Sequence, residues 1–161
     1  MSIPIQTTVN GRVRELEVPE RMLLADLLRE RLGLTGTKLS CGMQVCGVCT
    51  VLVDGAPVSS CTYLAVDIDG REVETVEGLA EDGELHPVQQ AFVDAFGLQC
   101  GFCTPGFIMS AKALLERVPD PGRDRIAHEL EGNICRCTGY EPIIDAVELA
   151  ARRMREARED G

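Results

Sequence analysis

The sequence predicts an α+β fold in which a small sheet occupies the first half of the chain and a four-helix bundle the second. Three observations carry that prediction. Before residue 60, short alternations of apolar and polar residues are bounded by Asn-Gly and Asp-Gly turns. After residue 86, apolar residues recur three and four apart, bounded by Pro and Gly. Between them, Asp67 to Glu84 holds eight acids and one base, Arg71, and the composition turns to Glu, Asp and Gly around residues 78–83. These place one domain at residues 1–77, a linker at 78–83 and a second domain at 84–161. An acidic run of this kind reads as a solvated face or connector.

In the first half, Ile3, Ile5, Thr7 and Val9 alternate with their neighbours, Asn10-Gly11 supplies a hairpin turn, and Val13, Leu16 and Val18 continue the pattern. After Pro19, Leu23, Leu24, Leu27, Leu28 and Leu32 take helical spacing up to Gly33. A loop from Cys41 to Cys49, punctuated by Gly42 and Gly47, leads to a second hairpin through Thr50 to Val53, Asp54-Gly55 and Val58. Strand, strand, helix, loop and hairpin follow a β-grasp order.

In the second half, Pro87 opens a helix carrying Val88, Ala91, Phe92, Ala95 and Phe96 and closed by Gly97. Thr104-Pro105 is expected to cap the next, which carries Phe107, Ile108, Ala111, Leu114 and Leu115 and stops at Pro119 and Pro121. A short helix around Arg125 to Leu130 stops near Gly132, and the last runs from Pro142 through Ile143, Val147, Ala150, Ala151 and Met154. Arg152 to Gly161, nearly all charged, is expected to fray.

At 161 residues each half has a thin core, and with four Phe, two Tyr and no Trp that core rests on Leu, Val, Ile and Ala. The formal charge of −10 argues against nucleic acid or an anionic membrane as partner. No stretch approaches the roughly eighteen apolar residues of a membrane span, and Met1 to Asn10 lacks the basic-then-apolar pattern of an export signal. The expectation is a cytoplasmic protein, in which cysteines are poorly explained as disulfides.

All eight cysteines fall into two constellations. Cys41, Cys46 and Cys49, in C-x4-C-x2-C spacing with Cys61 following, have the plant-type ferredoxin spacing for a 2Fe-2S cluster. Cys100 and Cys103 form a C-x2-C pair, followed after thirty-one intervening residues by Cys135-Arg136-Cys137. Cysteines two apart cannot readily bond to each other, so Cys135 and Cys137 face one external acceptor, for which a metal is the natural choice. Each iron of a 2Fe-2S cluster takes two thiolates and two bridging sulfides, so loops must bring four cysteines to one small body. Gly42, Gly47 and Gly101 beside the ligands permit tight paths and amides aimed at sulfur.

Structural zinc also uses four cysteines, and Cys100/Cys103 would serve as one of its two knuckles, but the C-x4-C-x2-C run fits that scheme less well. Arg136 reads equally as an offset for thiolate charge or as a solvent-facing residue. His86 and His128 lie in helical stretches without a carboxylate or nucleophile partner and read as structural, His86 at a helix start. No nucleophile elbow, phosphate loop or carboxylate pair is present, so no catalytic residue is assigned.

Gly36-Thr37-Lys38, Cys41, Cys46-Gly47-Val48-Cys49-Thr50-Val51, Gln99-Cys100-Gly101-Phe102-Cys103-Thr104-Pro105-Gly106 and Gly132-Asn133-Ile134-Cys135-Arg136-Cys137-Thr138-Gly139-Tyr140 carry a resemblance covering nearly the whole chain. It resembles the iron-sulfur subunit of the xanthine oxidase family of molybdenum hydroxylases, including the small subunits of carbon monoxide dehydrogenase, isoquinoline oxidoreductase and 4-hydroxybenzoyl-CoA reductase. The resemblance implies a ferredoxin-like domain and a helical domain, each with a 2Fe-2S cluster. It implies that Cys41, Cys46, Cys49 and Cys61 hold a distal cluster facing an FAD-binding medium subunit. Cys100, Cys103, Cys135 and Cys137 then hold a proximal cluster near the molybdopterin-type molybdenum cofactor of a large subunit. Gln99 and Cys137 are implied to approach the pterin, in a complex that is a dimer of heterotrimers.

The implied function is an electron relay inside an oxidoreductase complex, with a free-standing acidic 2Fe-2S carrier as the alternative. The apolar run Cys103 to Ile108 is read as a face buried in a complex. Many relatives carry Gly where this chain has Gln44, and Ala where it has Val48; a non-glycine at 44 implies a loop that either needs no positive φ there or takes a different local path.

Overall fold

The computed structural model describes residues 1–159. Its strands and helices are β1 (Ser2–Val9), β2 (Arg12–Pro19), α1 (Leu24–Asp26), β3 (Thr50–Val53), β4 (Ala56–Ser59), β5 (Glu72–Glu74), α2 (Pro87–Asp94), α3 (Thr104–Arg117), α4 (Arg123–Glu129) and α5 (Glu141–Glu159). The result is a mixed helix and sheet fold with strand order β2-β1-β5-β3-β4.

Asn10 and Gly11 both take positive φ, +49° and +72°, as a two-residue hairpin turn whose twist matches its strands requires. They set an antiparallel register from Ser2 opposite Pro19 to Val9 opposite Arg12. Asn10 also reaches out of the turn: its carbonyl oxygen accepts from the Thr75 amide at 2.8 Å and its NH2 donates to the Thr75 hydroxyl at 2.9 Å. After α1 the helix widens into a π-turn over Leu27–Arg31, with the Leu32 amide donating to the Leu27 carbonyl at 3.0 Å.

The stretch expected to be a solvated connector contributes β5, which lies between β1 and β3. It pairs parallel to β1, Val9 opposite Val73, and antiparallel to β3, Val53 opposite Val73. The signal was weak because the strand is three residues long and only Val73 is buried, too short to show period two.

Strand β3 separates two cores. Its residues are buried on both faces, since successive side chains of a strand point to opposite sides. Val51 and Val53 pack with Ile5, Val9, Val18, Leu24, Leu27 and Leu28. Leu52 instead joins Phe92, Phe107, Leu114, Ile126, Ile143 and Val147 of the helical layer. Helix α5 buries Ile143, Ala146, Val147, Ala150 and Ala151, a three-and-four spacing that lays one stripe against that layer.

Three expectations are corrected. Thr104 is the first residue of α3 rather than a cap, its side chain makes no capping bond, and Cys103 precedes the helix. The run Cys103 to Ile108 is no external face: Thr104, Gly106, Phe107 and Ile108 are buried within the chain itself, because α3 packs between β3 and the other helices. The charged tail does not fray from residue 152: α5 continues to Glu159. Arg153 pairs with Asp94 at 2.7 Å and Arg155 with Asp120, which anchors the tail to the body. Asp160 and Gly161, part of the segment expected to fray, lie outside the described residues.

Candidate metal centres

The first constellation lies on the loop before β3, with Cys61 just after β4. Arg29 orders the approach to that loop, its guanidinium donating to the carbonyls of Thr35 at 3.2 Å and Thr37 at 2.7 Å. Gly42 and Gly47 take φ of +65° and +69°, as expected of a path curling around a ligand. Gln44 also takes φ +60°, which corrects the first of the two expectations drawn from its being non-glycine. Its amide oxygen accepts from the Thr62 hydroxyl at 3.1 Å, an anchor for a conformation side chains disfavour. The amides of Met43 and Val45 both donate to the Cys41 sulfur at 3.4 Å. These amides, with that of Cys46, bring the Cys41 thiol down to about 6.

The second constellation gathers the turn before α3 and the turn before α5. Thr138 donates to the Cys135 sulfur from its hydroxyl at 3.2 Å and its amide at 3.5 Å, and the Tyr140 hydroxyl accepts from the Cys135 amide at 3.3 Å. Burial acts upward on the Cys135 thiol, but the Thr138 hydroxyl and amide, together with the Cys137 amide and the Cys103 side chain, outweigh it and hold the group below its ordinary value. Burial pushes Cys49 up to about 11 and Cys103 up to about 12. Buried thiols of that kind become ligands when a metal displaces their protons.

The thiols associate two by two. Cys100 and Cys137 sulfurs are 3.6 Å apart, and Cys103 contacts Cys135. In the other set Cys41 contacts Cys46 and Cys49 contacts Cys61. Two thiolates at about 2.3 Å from one tetrahedral metal stand about 3.8 Å apart, so the Cys100 and Cys137 pair suits one metal atom. Four thiols per constellation match the need of a two-iron body, each iron taking two thiolates. The Thr104 hydroxyl, buried beside Cys103 without a protein partner, adds a donor the polypeptide leaves unused.

Known proteins agree with this geometry. Residues 7–82 match the 2Fe-2S iron-sulfur cluster binding domain, and residues 75–148 match a second 2Fe-2S binding domain. The chain is 52% identical to the nicotine 6-hydroxylase small subunit of Paenarthrobacter nicotinovorans, covering 90% of this chain and 87% of that one. It is 46% identical to the nicotinate dehydrogenase small FeS subunit of Eubacterium barkeri, over 94% and 96% of the two chains. Quinoline 2-oxidoreductase from Pseudomonas putida 86 superposes with a TM-score of 0.92 at 48% identity, over 96% of this chain and 97% of that one. The chain belongs to the small iron-sulfur subunits of the molybdenum hydroxylases. It is therefore an electron-transfer component of an oxidoreductase, built on two 2Fe-2S binding domains. In the aldehyde oxidoreductase of Desulfovibrio gigas, which superposes with a TM-score of 0.92 at 44% identity, the matching region is 17% of a longer chain.

The two constellations of this small subunit meet directly. The Ile134 amide donates to the Cys46 carbonyl at 2.9 Å, joining the two cysteine segments. Gln99, implied by resemblance alone, is exposed beside exposed Cys100. Arg136 is exposed. His86 caps α2, its Nδ1 accepting from the Val88 amide at 3.2 Å, and exposed His128 lies 3.4 Å from Glu131. Sequence reasoning assigned no role to Ser110, Asn133, Thr138 or Tyr140; three of them stood inside a recognised motif, and their signal was polarity beside the cysteines. Among the described residues no helix is long and apolar enough to cross a membrane.

Proposed function

We propose that the chain is the relay of a complex in which a large subunit holds the molybdenum cofactor and a medium subunit holds FAD, the whole forming a dimer of heterotrimers in the cytoplasm. In this reading residues 1–77 are a β-grasp, ferredoxin-like domain and residues 84–161 a four-helix domain, joined by a linker at 78–83. Cys41, Cys46, Cys49 and Cys61 hold the distal cluster, and Cys100, Cys103, Cys135 and Cys137 the proximal one. Bound there, the clusters supply one-electron chemistry, so that electrons from a substrate oxidised at molybdenum reach FAD one at a time. Gln99 and Cys137 face the pterin of the large subunit.

One observation carries the reading: both cysteine loops open on exposed apolar side chains while their backbones are joined inside. Met43 and Val45 are 67% and 56% exposed beside the first set, and Phe102, Ile134 and Tyr140 are 45%, 45% and 41% exposed beside the second. Apolar rims beside polar loops suit docked partners, and they suit a free-standing carrier poorly. Purification from the native source tests this: partner subunits with molybdopterin and flavin should accompany the chain, with about four irons per chain from two 2Fe-2S clusters. A fully iron-loaded chain that purifies alone and shuttles electrons in solution would favour the carrier instead.

A further inference from the structure

The Cys46 to Ile134 hydrogen bond does not stand alone. Asn133, 5% exposed, is held through its backbone amide and through both ends of its carboxamide. Its backbone amide donates to the Leu130 carbonyl at 2.9 Å, and its side-chain oxygen accepts from the Ser110 hydroxyl of α3 at 2.8 Å. Its side-chain NH2 donates to the Gly47 carbonyl at 2.9 Å, across eighty-six residues of sequence. That carbonyl also accepts from the amide and hydroxyl of Thr50, at 3.2 and 2.7 Å.

Three backbones meet here too closely for side chains. A Cβ on Gly47 would lie 2.3 Å from the Gly132 carbonyl and 2.6 Å from the Asn133 amide nitrogen. One on Gly106 would lie 2.3 Å from the Gly47 carbonyl and 3.0 Å from the Val48 Cα. The loop of the first constellation, the first turn of α3 after Cys103, and the segment entering Cys135 are therefore packed backbone to backbone around one carboxamide.

We infer that Asn133 is a positioning residue that fixes how close, and in what orientation, the two cysteine constellations sit. Ser110 orients the carboxamide, the carboxamide holds Gly47, and Gly47 is followed by Val48 and Cys49 of one set while Asn133 is followed by Ile134 and Cys135 of the other. The hydrogen bond from Ile134 to Cys46 lies beside this clasp and forms only while the clasp holds the segments in register. The inference rests on the relay reading, since the spacing matters only if electrons cross between the two sites.

Asn133→Asp is the sharpest probe, because it changes one donor NH2 to an acceptor oxygen of the same shape and turns the Gly47 contact repulsive. Measurements use the full complex: iron content, the magnetic interaction between the two reduced clusters by low-temperature electron paramagnetic resonance, and hydrogen exchange of the segment containing the Ile134 amide. The expected result is unchanged iron, an altered inter-cluster interaction, and Ile134 exchange faster by about tenfold or more, the factor matching loss of a buried hydrogen bond.

Asp54→Ala, which removes side-chain bonds at the β3–β4 turn, lowers stability elsewhere and should leave the magnetic interaction as it is. Should Asn133→Asp fail to assemble, Ser110→Ala, which only frees the carboxamide, is judged by the same readouts. Full iron with an unaltered interaction and unaltered exchange overturns the inference while leaving the relay intact. Absence of two clusters in the unmutated complex would instead remove the relay reading itself.

Discussion

Gln44 holds a left-handed backbone conformation in the middle of the first cysteine loop, which costs an ordinary side chain about 1 kcal/mol or more. Its bond to Thr62 is exposed and offsets only part of that. Gln44→Gly is therefore expected to stabilise the loaded chain by roughly 0.5–1 kcal/mol, and the β-branched Gln44→Val to destabilise it by roughly 1–2 kcal/mol, read from denaturant midpoints. Thr138 acts on chemistry rather than shape. Donors to a ligand sulfur favour the more negative, reduced state of a cluster. Loss of the hydroxyl in Thr138→Val, at about 1 kcal/mol, should lower the midpoint potential of the second constellation's cluster by roughly 40 mV, with the first unmoved in a redox titration. The two cysteine constellations were legible because C-x4-C-x2-C and C-x-C have few other uses. Asn133 and Thr138 were not, because a short polar residue in a turn declares no partner, and theirs lie at Gly47 and at a cysteine sulfur.

At the scale of elements, His86 makes α2 sensitive to pH. Its Nδ1 accepts from the Val88 amide, which only the neutral ring can do. Burial first, and then Lys112 of α3, hold His86 below its ordinary value, against the pull of Glu74, Glu116 and Glu81. A lowered value in the folded state means that its contribution is complete above the unfolded value of about 6.5 and is lost as pH falls through the folded one. Melting between pH 7.5 and 5.5 should thus show a loss that His86→Asn, a cap that does not titrate, largely removes. A slope of equal size in the variant would assign it to other groups. Helices α2 to α5 were readable from Pro and Gly punctuation and apolar spacing, as were both hairpins. Strand β5 was not, because its pairing is written in backbone bonds of a three-residue segment whose flanking charges look like a connector. The persistence of α5 past residue 152 was hidden for a related reason: Arg153 and Arg155 find their acids on other elements, and local charge density alone reads as fraying.

For the whole molecule, the question is what ties the helical layer to the sheet apart from apolar contact. Lys112 supplies a charged tie. Its side chain is 10% exposed on α3, and its ammonium lies 2.9 Å from Glu74 of β5 and 2.6 Å from Glu116 of its own helix. Burial acts to lower its value, but Glu116 and Glu74 outweigh it and the group is raised. A raised value means that its stabilisation is fully present below the ordinary lysine value of about 10.4 and fades only above it, so the tie is intact at neutral pH. Removing the cation leaves two carboxylates facing each other across the layers, where partial solvent access limits the penalty. Lys112→Ala is expected to cost about 1–3 kcal/mol, and Lys112→Met less, because its chain still fills the space. The same change reaches His86, which loses a neighbouring positive charge while its carboxylates remain. In Lys112→Met the imidazole should protonate more readily, so the acid loss of stability between pH 7.5 and 5.5 shrinks toward that of His86→Asn, and the double variant should show no further flattening. Independent, additive pH slopes for the two variants would mean that α2, α3 and β5 are not electrostatically one unit.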